Sequence, residues 1–266
     1  MGIIDRSKAL SLCCVLSMAG QAHAGAWTQE KGSGLVILNL AHSMADSRFV
    51  EDGSSRPAKD FSKTEARAYL EYGLTDWATF VAQPEWRHKE TGPLRGEEVS
   101  GLGRVDAGLR IRVHRTDTSV YSVQGSIRMP GASDRLAPAN GGDTEWEADA
   151  RLLYGRGFPL WGRHAFADLQ LGYRFRFGAP ADELRLDLTA GIDVTPKILA
   201  LVQSFNSVSV GDVDAPFSLT REHKVSAGVV YRFDEKWSFQ IGGLLTVAGS
   251  NALQERGVVL GLWRSF

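Results

Sequence analysis

The chain has 266 residues, with 30 lysines and arginines against 31 aspartates and glutamates and a formal net charge of −1. Such balance leaves no electrostatic footprint for nucleic acid. The two cysteines, Cys13 and Cys14, both stand near the start, so residues 25–266 exclude disulfide and thiol chemistry.

Residues 1–24 read as a secretory signal: Arg6 and Lys8, then the short apolar run ALSLCCVLSMAG, then Ala22-His23-Ala24 as a small-x-small cleavage site before Gly25. Leu12 before Cys13 argues against lipoprotein processing. Loss of Asp5, Arg6 and Lys8 takes the basic residues from 30 to 28 and the acidic ones from 31 to 30, a net charge of −2. The exported chain, 25–266, then forms one domain. No stretch in it suits a transmembrane helix. The longest uncharged run, 237–254, contains Gln240, Thr246, Ser250 and Asn251, and it alternates.

Alternating segments follow near 34–45, 62–73, 77–89, 102–115, 118–129, 144–155, 163–177, 184–195, 197–209, 220–233, 236–248 and 255–266. They predict about twelve strands, each near the roughly 9–11 residues that a tilted strand needs to cross a bilayer core. No comparable segment has helical spacing, so the class is all-β. Tight turns at LTDW, RTDT, VTPK and FDEK, with GRGFPLWG (155–162) slightly longer, alternate with larger polar loops such as SRFVEDGSSRPAKDF and PGASDRLAPANGGD. Short turns at one end and long loops at the other predict a single antiparallel up-and-down transmembrane barrel with both termini in the periplasm. A β-propeller would need four short strands where each repeat here has two long ones.

The segment LGRVDAGLRIRVHR (102–115) shows the two faces. Val105, Ala107, Leu109, Ile111 and Val113 alternate with Arg104, Asp106, Arg110, Arg112 and His114. Aromatic residues gather at strand ends: Tyr72, Trp77, Tyr121, Tyr154, Phe233 and Trp237 beside the tight turns, and Trp86, Trp146 and Phe177 towards the loops. They match the interfacial girdles of a barrel. The chain ends GVVLGLWRSF, and its terminal Phe266 resembles the mark that such barrels present to the assembly machinery. The expected surroundings are outer-membrane lipid and lipopolysaccharide.

A twelve-stranded barrel has a backbone diameter of roughly 25 Å and a bore of about 10–15 Å or less once side chains fill it. The expected lumen residues are Glu65, Arg67, Glu85, Arg87, Arg104, Asp106, Arg110, Arg112, Arg128, Asp149, Arg151, Asp168, Arg174, Arg176, Arg185 and Asp187, with Glu71, Glu147, Asp193 and Arg232 on the same faces. One role for them is salt-bridge bracing, since charges inside need partners. The other is a narrow channel in which Arg110, Arg112, Arg174 and Arg176 attract the carboxylates of small polar or aromatic solutes.

The segment EARAYLEYGLTDWATFVAQPEW, a strand–tight turn–strand, and the start AWTQEKGSG resemble the β-barrel family associated with the meta-cleavage pathway of phenol degradation. The resemblance implies an outer-membrane protein of transport function, concerned with aromatic compounds, and brings no defined site residues. An enzyme is not expected: Gly-x-Ser-x-Gly and His-x-Ser-Asn-Gly are both missing from the sequence, and His42 and Ser43 point to opposite faces of one strand. No cofactor is implied, and no histidine pair has metal-ligand spacing. A structural or adhesive barrel, whose long loops meet a partner, is the remaining alternative.

Overall fold

A computed structural model describes residues 25–92, 97–131, 145–214 and 217–266. The expected signal, 1–24, lies outside these residues, as do parts of three loops, including Asp143 of GGDTEWE.

Strand follows strand through the described residues: β1 Gly34–Phe49, β2 Ser55–Thr75, β3 Ala78–Thr91, β4 Glu97–Arg115, β5 Ser119–Met129, β6 Glu147–Leu160, β7 Arg163–Arg176, β8 Asp182–Thr195, β9 Ile198–Val210, β10 Arg221–Arg232, β11 Trp237–Ser250, the two-residue β12 Ala252–Leu253, and β13 Arg256–Ser265. Each pairs antiparallel with its neighbours. The ring closes because β1 pairs on one edge with β2, Leu40 opposite Ala66, and on the other with β13, Leu40 opposite Leu260. Closure gives each full stave a partner on both sides, where an open sheet would leave two edges exposed. The result is the twelve-stave barrel expected, with β12 as a small addition inside the last hairpin.

The strands overrun their expected limits at the long-loop end. The segment read as the loop SRFVEDGSSRPAKDF is mostly ladder: β1 and β2 stay paired to Phe49–Ser55, leaving only residues 50–54 as a turn. Polar residues can extend a hairpin above a bilayer because neither face there must be apolar. At the other end, β6 and β7 stay paired through Pro159–His164, so the eight-residue connection expected at 155–162 shrinks to Trp161–Gly162. Both turn residues take positive φ, 52° and 72°, as the two-residue hairpin that matches strand twist demands.

The alternation sorts the side chains into two environments. Outward, Leu102, Leu152, Val202, Ile241 and Val258 are each more than half exposed. An apolar surface of this extent is foreign to a water-soluble monomer. No helix among the described residues is long and apolar enough to cross a membrane, a test that does not bear on strands. Inward, two kinds of packing share the barrel. Leu35, Ile37, Phe166, Leu199, Leu201, Val230 and Trp263 form an apolar cluster towards the tight-turn end. Charged residues of β2–β8 line the opposite wall.

A bulge at Val113 changes the face of one residue. His114, expected to continue the polar face of β4, comes opposite Tyr121 with its ring 5.9 Å from the tyrosine's on the outer side. The extra residue in the bulge reverses the alternation.

Candidate functional site

The alternation of β2–β8 places a band of guanidinium and carboxylate groups inside the barrel. Glu147 is its hub. This buried carboxylate lies within 3.2–3.4 Å of Arg104, Arg128, Arg174 and Arg176. Arg128 also grips Asp106 with two hydrogen bonds, 2.7 and 2.8 Å. Arg151 links Asp149 at 2.6 Å to Asp187 at 2.7 Å, and Asp149 also receives Arg174 at 3.1 Å. On the neighbouring wall, Glu85 binds Arg67 at 2.5 Å and pairs with Arg87. Glu65 meets Lys63 at 3.3 Å. Charges taken out of bulk water are tolerated when paired in this way.

Six of the sixteen expected lumen residues have almost no surface left: Glu85, Arg87, Arg110, Asp149, Asp168 and Arg174 are all under one-tenth exposed. Arg110 and Arg174 were expected to attract solute carboxylates. Arg110 instead spends its guanidinium on Glu71 at 2.6 Å, the Tyr69 hydroxyl at 2.9 Å and the Trp27 carbonyl at 2.9 Å. Arg174 is surrounded by Glu147, Asp149 and Glu183. Arg185 stands differently. Its nearest carboxylate, on Glu183, is 3.8 Å away, and its buried Nε, like those of Arg174 and Arg176, has no hydrogen-bond partner. Arg112 is half-buried beside the tight-turn mouth; its backbone N–H donates to the Trp77 carbonyl.

The element that alternation could not reveal is the segment before β1. Residues 25–31 run inside the barrel at the tight-turn end as a strap across the lumen. The Ala26 N–H donates to Asp168 on β7, and the Ala26 carbonyl accepts the Ser122 hydroxyl on β5. The Gln29 N–H donates to Thr79 on β3 and its side-chain amide to Glu71 on β2. The Lys31 N–H and the Thr28 hydroxyl both donate to Asp76 in the β2–β3 turn. The Trp27 indole meets Phe166 edge-on at 6.1 Å. Gly155 on β6 makes room for it, since a Cβ there would stand 2.6 Å from the indole. The peptide groups of the strap therefore find partners on five different staves or turns, as buried backbone must.

A second charged group sits near the long-loop end. Glu255 accepts from Lys224 at 3.1 Å and from the Ser43 hydroxyl at 2.8 Å, with Lys63 at 3.4 Å. On the outer face, His88 lies 3.3 Å from Glu90 and 3.8 Å from Glu98. These three could hold a metal ion; histidine spacing does not disclose them, because Glu98 arrives from the next strand.

The expected girdle residues Tyr72, Trp77, Tyr121, Phe233, Trp237 and Phe266 are exposed near the tight-turn end. Tyr154 is half-buried, 4.9 Å from Tyr121. Arg264, which interrupts the apolar face of β13, places its guanidinium 5.1 Å over the Trp237 ring. Phe266 covers Gly34, where a side chain would collide with it.

A closed antiparallel barrel with an apolar exterior and a charged interior is the class to which outer-membrane barrels belong. Residues 60–262 match the family described as "Putative MetA-pathway of phenol degradation", and the chain belongs to that family. The COG4313 outer membrane channel from Pseudomonas putida F1 superposes with a TM-score of 0.74 at 16% identity, covering 91% of this chain and 98% of that one. The β domain of the Bordetella autotransporter BrkA gives 0.54 at 14% identity, covering 89% and 100%. The NanC porin gives 0.52 at 7% identity, covering 85% and 98%. At these identities the likeness is one of fold. No curated protein matches the chain in sequence.

Proposed function

We propose that the protein is a narrow outer-membrane channel for small polar or aromatic solutes, carboxylates among them. In this reading the apolar belt sits in lipid, with lipopolysaccharide around the rim. The tight turns and both ends of the exported chain face the periplasm. The strand ending in Phe266 is what the assembly machinery recognises, and the barrel carries no catalytic group.

The observation that carries the reading is a lumen wall dense in arginine in which Arg185 has no carboxylate nearer than 3.8 Å and no acceptor for its Nε–H. A guanidinium so placed offers a carboxylate a charged, directional partner. The family's description, which names phenol degradation, favours aromatic solutes. The strap across the tight-turn end sets the resistance of the pore.

Single-channel recording tests this. The wild-type barrel conducts, and Arg185→Gln shifts the anion/cation permeability ratio towards cations, on the order of twofold. The strap and the Glu147 network favour a second reading, a braced, non-conducting barrel. Silence from both the wild type and a variant lacking residues 25–31 would select it and remove the channel proposal.

A further inference from the structure

Among the described residues, Asp168 is a buried lumen carboxylate with no cation at ion-pair distance. Glu71, Glu85, Glu147 and Asp149 each hold at least one guanidinium. Asp168 accepts only neutral donors, the Gln170 amide at 2.8 Å and the Ala26 N–H at 2.6 Å. Arg110, the cation facing it from β4, is engaged by Glu71. A buried carboxylate left in this state is costly, and a cation beside it would remove the cost.

Gly25 is the residue against it. A Cβ on Gly25 would stand 2.5 Å from the Asp168 Oδ2, and its φ is 147°, so both space and backbone require glycine there. The nitrogen of a residue lies about 2.5 Å from its Cβ position, which puts the Gly25 nitrogen within about 5 Å of the carboxylate. The sequence supplies an independent observation: Ala22-His23-Ala24 is a small-x-small cleavage site that ends immediately before Gly25.

We propose that processing between Ala24 and Gly25 delivers a new α-ammonium group to Asp168, and that this ion pair seats the strap in the lumen. Hydrolysis by a signal endopeptidase breaks the Ala24–Gly25 amide. Water supplies the hydroxyl oxygen of the new Ala24 carboxylate, and the Gly25 nitrogen leaves as an amine. With an ordinary α-amino pKa near 7.7–8.0, that amine is mainly protonated at neutral pH. Unprocessed chain offers Asp168 only a neutral amide N–H. Maturation would therefore complete the strap's anchor, making docking a consequence of export. The inference rests on the cleavage reading and is independent of whether the barrel conducts.

The test uses the chain beginning at Gly25, refolded in detergent, alongside Asp168→Asn and a chain that retains His23 and Ala24. Heat-modifiable migration on gels confirms that each barrel is folded. The expected result is that an amine-reactive reagent labels the Gly25 α-amine at least tenfold more slowly in the wild type than in D168N. Hydrogen exchange of residues 26–31 should be at least tenfold faster in the extended chain, which keeps Asp168 and serves even if D168N fails to fold. Equal labelling in wild type and D168N, or equal strap protection in the extended chain, overturns the proposal. So does a mature N-terminus, sequenced from outer membranes, at any residue other than Gly25.

Discussion

Trp27→Ala measures how firmly the strap is docked. The indole fills the space beside Gly155, meets Phe166 edge-on at 6.1 Å, and packs on both apolar clusters of the interior, including Leu35 and Val120. Truncating a fully buried tryptophan to alanine costs about 3–5 kcal/mol. Trp27 is half-buried, and the hydrogen bond from Arg110 to its carbonyl survives the change, so about 2–3 kcal/mol is the share to expect. At 1.4 kcal/mol per factor of ten, the undocked fraction rises about 30- to 150-fold. Amide exchange of residues 26–31 scales with that fraction when opening is local. Exchange measured on the folded barrel should therefore accelerate by the same factor in the strap, while amides of β8–β10 keep their wild-type rates. Strap exchange that matches the wild type would refute the assignment of Trp27 as the anchor.

Other perturbations probe the interior and one turn. Arg110→Ala takes the cation from the buried Glu71 carboxylate, which keeps only the neutral donors Gln29 and Tyr69; a loss of about 3–5 kcal/mol follows, read as a lower midpoint of heat-modified migration, and Glu71→Gln in the same chain should restore part of it. In the β10–β11 turn, Asp234 accepts the N–H groups of Lys236 and Trp237, both at 2.8 Å. These bonds hold its carboxyl below the ordinary 3.8. A depressed folded value means that the stabilisation is present above the unfolded value and is lost as the pH falls through the folded one. Protection factors at Lys236 and Trp237 should stay level above the ordinary carboxylate range and fall as the pH drops below it, with Asp234→Asn removing the fall; a wild-type profile with no acid drop would contradict this account.

The staves were legible because a bilayer-facing wall imposes a period of two over long runs, and no soluble core blurs it. The tight turns at Asp76, Asp117, Pro196 and Asp234 were legible from turn chemistry. Boundaries were not. Residues 47–61 read as a loop, yet 47–49 pair with 55–57, because a ladder beyond the membrane needs no apolar face. Asp182 and Glu183 looked like loop residues for the same reason, so Glu183, a partner of Arg174, Arg176 and Arg185, was missed. For the lumen charges, alternation gave the direction of each side chain and nothing about its partner. Arg110 and Arg185 read alike in sequence. One is closed in by Glu71, Tyr69 and Trp27, and the other leaves its Nε unpaired.

By itself, then, the sequence determined the wall: the class, the number of full staves and which face is apolar. These are local properties, set by alternation and turn residues over a few positions. Only the tertiary structure decided what fills the barrel. The strap has no periodicity, and its meaning depends on Asp168, Ser122, Gly155, Thr79 and Glu71, which come from five different strands. The Glu147 hub likewise draws its arginines from β4, β5 and β7. Closure brings together residues far apart in the chain, and whether an inward arginine is spent on a neighbour or left for a solute is fixed by that closure alone.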